Sequence, residues 1–311
     1  MRIRATVAAV TGALALSAFA LPTAHAADSG TASYREDVTK VRAAAATASG
    51  RTAFSAAVGT DDPQPYPLDA TFSGVKVNNG KAIVVGPTGH VKVPYVYTLT
   101  HGADVDITAA DFATGAFVYK SDAEFFGDDP AVCTATSSTV ATCKGVIDLY
   151  PASDDDFTDL ANSAAGALKS GALAIALNGQ DVSSPNFDIT KVGVAEQEGF
   201  GSPNLQRLSK LTVNAAPEPV KKGKTVTVTG KLSRANWDDG QYHGYAGQSV
   251  RLQFRKKNSS TYTNVKGIKS SSTGTLKTTT TATVDGYYRF SFVGTSTTPA
   301  VNATGDYVDV K

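Results

Sequence analysis

The stretch RANWDDGQYHGYAG, Arg234 to Gly247, carries the chain's single tryptophan, Trp237, with Asp238, Asp239, Tyr242, His243 and Tyr245 close behind it. Rings beside acids and amides suit recognition of sugars or peptides, because an aromatic face supplies flat apolar area while polar neighbours fix hydroxyl groups. The same composition suits packing, since tryptophan in a small sandwich is commonly core and tyrosines commonly lid a sandwich end. Both readings stand on the sequence alone. A second group, Arg255, Lys256 and Lys257, with Arg251 on the same face of one strand, is basic. It suits an anionic polymer, and equally a solvated strand face or a surface that docks on acidic neighbours. The segment has no RNA-binding motif and no helix-turn-helix pattern, so nucleic acid is not an expected partner.

Metal and catalytic chemistry leave fainter traces. Asp154, Asp155, Asp156 and Asp159 form the densest acidic group, with Asp128 and Asp129 a second and Asp238 and Asp239 a third. Clustered carboxylates and loop carbonyls are what calcium requires, and the first group is the candidate metal set, although none has the alternating spacing and central glycine of an EF-hand loop. Helix capping accounts for the first group equally well. No other cofactor is expected. The histidines of the mature chain, His90, His101 and His243, are far apart and each adjoins a glycine, and no serine or cysteine sits in a G-x-S-x-G elbow. The expectation is a non-enzyme, with a dispersed site in the first domain as the catalytic alternative.

The elements that must position these groups follow from the chain's organisation. Residues 1–26 begin with two arginines, continue as an apolar run and end in Ala24-His25-Ala26, the pattern of a cleaved secretory signal peptide. The mature protein is therefore expected to be secreted and extracellular, without a transmembrane anchor. In an oxidising compartment Cys133 and Cys143, the only two cysteines, read as a local disulfide. Residues 27–69 are rich in Ala, Ser, Thr and Pro. They are compatible with a helix at Tyr34 to Ala48, but lack an obvious apolar stripe, so a poorly ordered leader is expected. Charge divides the remainder: residues 27–212 carry a balance of −9 and residues 213–311 a balance of +8.

From Ala70 the pattern is one of alternation, and residues 70–204 read as a β-sandwich. ATFSGVKV, the Asn78-Asn79-Gly80 turn and KAIVV suggest a hairpin. HVKVPYVYTLT puts Val91, Val93, Tyr95, Tyr97 and Leu99 on one face, with Pro94 implying an edge strand or a bulge. SDDDFTDLANSAAGAL suggests a short helix with Leu160, Ala164 and Leu168 on one face. Further strands are expected at Gly115 to Lys120, Val140 to Leu149, Gly171 to Asn178 and Phe187 to Ala195. Residues 205–311 show seven short strands with turns at regular spacing, the pattern of an Ig-like sandwich. The opening stretch would then be a long loop between its second and third strands. The expected fold is thus all-β, two sandwich domains with the C-terminal one Ig-like.

The order TVTVTGKL, YAGQSVRLQFRKKNSSTYT, DGYYRFSFVGTSTTPAVNATGDYVDVK resembles an Ig-like module common in secreted actinobacterial proteins. The whole chain is similar to a group of exported streptomycete-type proteins, some of which carry a loose calcium-binding label. The resemblance is specific over residues 205–311 and vaguer over 70–200, and it brings no catalytic residues. The functional expectation is a secreted binding or interaction protein for cell-wall glycan or anionic polymer, or for another extracellular protein. The alternative is a calcium-stabilised structural or adhesive protein.

Overall fold

The computed structural model describes residues 34–49, 63–121, 123–151, 160–201 and 203–311. The expected signal peptide, 1–26, and the candidate calcium residues Asp154, Asp155, Asp156 and Asp159 lie outside the described residues. The fold is all-β in class, with two sandwiches and, among the described residues, one α-helix.

In the first sandwich a sheet in the order Ala70–Val77, Val91–His101, Val140–Leu149, Val132–Ala135 faces a second. The second runs Tyr66–Pro67, Gly193–Phe200, Lys169–Ala176, Phe112–Lys120, Ala123–Phe125. Alternation dictates the core: Val93, Tyr95, Tyr97 and Leu99 point inward against Val118, Ala172 and Ala174 from the facing sheet. Cys133 and Cys143 stand opposite each other in the Val132–Ala135/Val140–Leu149 ladder and form the expected disulfide, with Cα atoms 4.0 Å apart.

Several local expectations are corrected. Val91–His101 is an interior strand, paired on both sides; its neighbour ends at Val77 opposite Tyr95, so no partner stands beside Pro94 on that side. The bulge falls on the neighbour, between Ser73 and Lys76. Asn78 and Asn79 do take positive φ, but the chain then leaves the sheet. Ile83–Val85 pairs in parallel with Asn204–Arg207 instead of closing a hairpin on Ala70–Val77. Leu160, Ala164 and Leu168 are all buried; the described part of the expected helix is a 3-10 turn over Asn162–Ala164 followed by the strand Gly166–Ala167. Phe187 precedes a turn, and the strand runs over Gly193–Phe200.

The largest correction concerns the leader. Tyr34–Ser49 is an α-helix, and Tyr34, Val38 and Val41 are buried together with Phe117, Leu173, Ile175 and Val192 on the outer face of the larger sheet. Spacing of i, i+4, i+7 places these three on one side of the helix. They form a stripe only three residues long, which the surrounding alanines obscure. Arg42 reinforces the contact: its guanidinium lies 4.8 Å from the Phe117 ring centroid and 5.0 Å from that of Phe126, and it is ion-paired with Glu124 and Glu196.

The second sandwich has the strand order expected of an Ig-like fold. One sheet places Thr225–Asn236 between Ser209–Leu211 with Asn214–Ala216 on one side and Thr275–Thr281 on the other. The other runs Thr263–Lys269, Ser249–Lys256, Gly286–Phe292, then Val301–Asn302 and Asp306–Val308. Val226, Val228, Leu232, Val250, Leu252 and Phe290 fill the space between them.

The two sandwiches meet at a built seam. The stretch expected as a loop instead extends the second strand to Asn236 and returns as Gln241–Gly244, pairing Asn236 with Gln241. This hairpin carries Ala235 and Trp237 into the core of the first sandwich, where Trp237 is 0% exposed. The indole N–H donates to the Val85 carbonyl at 3.4 Å. Asn162 brackets the turn: its Oδ1 accepts from Trp237 N–H at 3.0 Å, its own backbone N–H donates to Asp238 at 2.9 Å, and its amide nitrogen donates to Asn236 and Asp238. Arg207 Nε donates to the Ala235 carbonyl at 2.6 Å. A buried aromatic with its polar atoms satisfied on the partner domain makes a rigid joint, since opening it would expose the ring and strand those groups.

Candidate functional site

The nine sequence candidates for ligand binding separate into two groups. Those of the opening stretch serve the seam or its rim. Trp237 is enclosed and presents no ring to solvent, so of the two readings the sequence allowed it takes the packing one and not the ligand-binding one. Asp238 is exposed but committed to Asn162. Asp239 pairs with His243 at 2.6 Å on the surface. Tyr242 packs against the first core beneath the Lys210 ammonium, 3.8 Å from its ring centroid, and Tyr245 lies edge-on to Phe292 beneath Arg234.

Arg255 and Lys257 belong to the far end, and Arg251 to an earlier position of the strand that carries Arg255. The strand Thr225–Asn236 reaches the seam at Asn236, and its other end lies roughly 36 Å away at about 3.3 Å per residue. There the outer face of the other sheet alternates as its sequence requires. Leu252 is buried inside while Gln253 and Arg255 face out. On the neighbouring strand Tyr288 and Phe290 face in while Tyr287 and Arg289 face out. Register sets Arg255 opposite Tyr287, Gln253 opposite Arg289, and Tyr287 opposite Tyr307. Directly opposed side chains on one face are close enough to touch.

The result is a row in which cations and rings are interleaved. The Arg255 guanidinium lies 3.8 Å from the Tyr287 centroid, and Tyr287 and Tyr307 rings are 5.1 Å apart. The Lys257 ammonium lies 5.4 Å from Tyr307. Tyr262, from the turn between two strands, sits beside Arg255 at 5.4 Å and Arg289 at 3.8 Å. Guanidinium-over-ring contacts of this kind are favourable and hold the cation in a defined orientation. Polar links fix the row further: Arg289 Nε donates to Gln253 at 2.9 Å, Gln253 donates to Asn264 at 2.9 Å, and Arg255 donates to the Ser259 carbonyl at 2.9 Å.

At its Lys257 end the row borders an open surface depression lined by Lys222, Lys256, Lys257 and Lys311, with Asp285 the acidic group among the described lining residues. Asp285 accepts from Val310 N–H at 2.9 Å and from the Tyr307 hydroxyl at 3.2 Å. These contacts, the Val310 amide foremost, hold its carboxyl below the usual range. Lys257 is pushed up from its ordinary value, chiefly by its bond to Tyr307. Arg251 is exposed on the same strand, nearer the seam.

Sequence reasoning placed Arg255 and Lys257 here but missed Tyr262, Tyr287, Arg289, Tyr307, Lys222 and Lys311. The alternation of YYRFSF held the signal for Tyr287 and Arg289; Tyr307 and the terminal lysines are joined to them only by strand pairing. Of the other acidic groups, Asp128 lies in the first sandwich, apart from this face.

No family model and no curated protein matches the sequence. Among solved structures the chain is similar to the Yersinia pseudotuberculosis adhesin InvE, at 11% identity and a TM-score of 0.24, covering 77% of this chain and 60% of that one. It is also similar to titin domains A168–A170, at 8% identity and a TM-score of 0.22, covering 78% of this chain and 65% of that one. The chain thus spans less than two thirds of either structure. Likenesses of this size carry no functional inference.

Proposed function

We propose that the protein is a secreted, non-enzymatic binding protein that holds a polyanionic glycan, such as a phosphate- or uronate-bearing wall polymer, on the distal face of its Ig-like sandwich. The observation that carries this reading is the row Lys257–Tyr307–Tyr287–Arg255–Tyr262–Arg289, with Lys222, Lys256 and Lys311 gathered at its Lys257 end. Rings offer apolar area to sugar C–H faces, and the stacked guanidinium and ammonium groups offer charge-assisted donors to phosphate or carboxylate. The recognition is mechanical and electrostatic, with no bond broken.

Charge favours the same end of the molecule. Residues 213–311, all of them described, carry a balance of +8. A polyanion is drawn to this sandwich by that excess, which raises its rate of encounter with the basic face. Titration with poly(glycerol phosphate) and with an uncharged glucan, each at low and high salt, tests this. The expected result is saturable binding of the polyanion that weakens steeply with salt, and little binding of the glucan. Equal binding of both, or a salt-independent affinity, would contradict it.

A further inference from the structure

We propose that His90, Asp128 and Asp148 form a binding site for a divalent transition metal of the zinc class on the first sandwich. Their ligating atoms lie within 4.8 Å of one another, yet they come from three separate segments: the turn before Val91–His101, the loop after Ala123–Phe125 and the end of Val140–Leu149. Zinc takes imidazole nitrogen and carboxylate oxygen at roughly 2.0–2.2 Å, so small movements of these side chains close three ligands around one ion.

Each ligand is held by its surroundings, as metal ligands generally are. Asp148 forms the floor, with its side chain 2% exposed; its Oδ2 accepts from Asp128 N–H at 2.9 Å while Oδ1 lies 2.5 Å from His90 Nε2. The His90 ring is clamped flat on Tyr150, with centroids 4.3 Å apart and planes 12° apart. Asp128 accepts from the Tyr150 hydroxyl and lies 3.3 Å from Arg35 Nε. Two carboxylates face one guanidinium, and a divalent cation held by the imidazole and both carboxylates leaves neither carboxylate isolated. The imidazole selects against calcium and magnesium, which take oxygen ligands. His90 and Asp128 side chains are 34% and 40% exposed, so the open side admits water as a further ligand.

The test uses the full chain, stripped with chelator and titrated calorimetrically with Zn²⁺, with Co²⁺ absorption as a second readout. One equivalent is expected, with visible Co²⁺ bands from a low-symmetry site. His90→Gln and Asp128→Asn, both partly exposed positions, are expected to stay folded and to weaken binding by more than about 100-fold, beyond the cost of losing a supporting partner. His243→Gln, which breaks the surface pair with Asp239, is expected to bind as wild type does. Absence of heat at millimolar Zn²⁺, or wild-type affinity in His90→Gln and Asp128→Asn, would overturn the assignment.

Discussion

Replacing Trp237 with alanine removes a fully enclosed indole from the core of the first sandwich while its backbone stays in the second. Large-to-small changes of this kind cost about 3–5 kcal/mol, combining lost transfer energy with the cavity left behind. Loss of the indole hydrogen bond adds little, because the Val85 carbonyl also accepts from Leu208 N–H at 2.8 Å and is not orphaned. At roughly 2–4 °C per kcal/mol for a domain of this size, the first sandwich should melt about 6–20 °C lower. The deletion also loosens the joint, so calorimetry should resolve two transitions in the variant and one in the wild type. In the wild type, Trp237 emission should be blue-shifted and resistant to acrylamide. A loss below about 1 kcal/mol, or red-shifted and readily quenched wild-type emission, would refute the enclosed seam.

Other consequences follow from the same contacts. Burial pushes the Glu196 carboxyl from its ordinary 4.5 up to about 7 against the opposing pull of Arg42. The folded state therefore binds this proton more tightly than the unfolded chain. Its contribution to stability is complete below pH 4.5 and is lost as pH rises through about 7. Glu196→Gln should abolish that slope, worth at most roughly 3 kcal/mol, and melting curves from acid to neutral pH that are parallel in both proteins would contradict it. Reducing Cys133–Cys143, which closes a separation of 10 residues, should cost no more than about 3 kcal/mol. Hydrogen exchange should then show fraying confined to Val132–Ala135. Asn162→Ala should destabilise the seam by about 2 kcal/mol, as several bonds of roughly 0.5–1.5 kcal/mol each are lost; an unchanged melting temperature would show that the bracket contributes nothing.

What was legible in the sequence was whatever obeys a local period. Val226, Val228 and Leu232, and Val250 and Leu252, alternate cleanly and face inward as read. What was not legible depends on distant partners. Trp237 reads equally as platform or core until its hairpin is seen to enter another domain. Tyr34, Val38 and Val41 form a helical stripe too short to stand out among alanines, and it matters only because Phe117 and Ile175 leave an apolar outer face to cover. Of the basic row, Arg255 was visible as part of a charge cluster, but Tyr307 joins it only through pairing with Tyr287. His90 and Asp148 are 58 positions apart, with no spacing to connect them.

The claim that the distal face is the binding surface is tested most directly by comparing two double variants against poly(glycerol phosphate) at low salt. Arg255→Ala with Tyr287→Ala removes the centre of the row, and Asp239→Asn with His243→Gln alters the surface rim of the seam. The account predicts at least about a tenfold loss of affinity, near 1.4 kcal/mol, for the first and none for the second. Undiminished binding by the first variant, or a larger loss in the second, would contradict it.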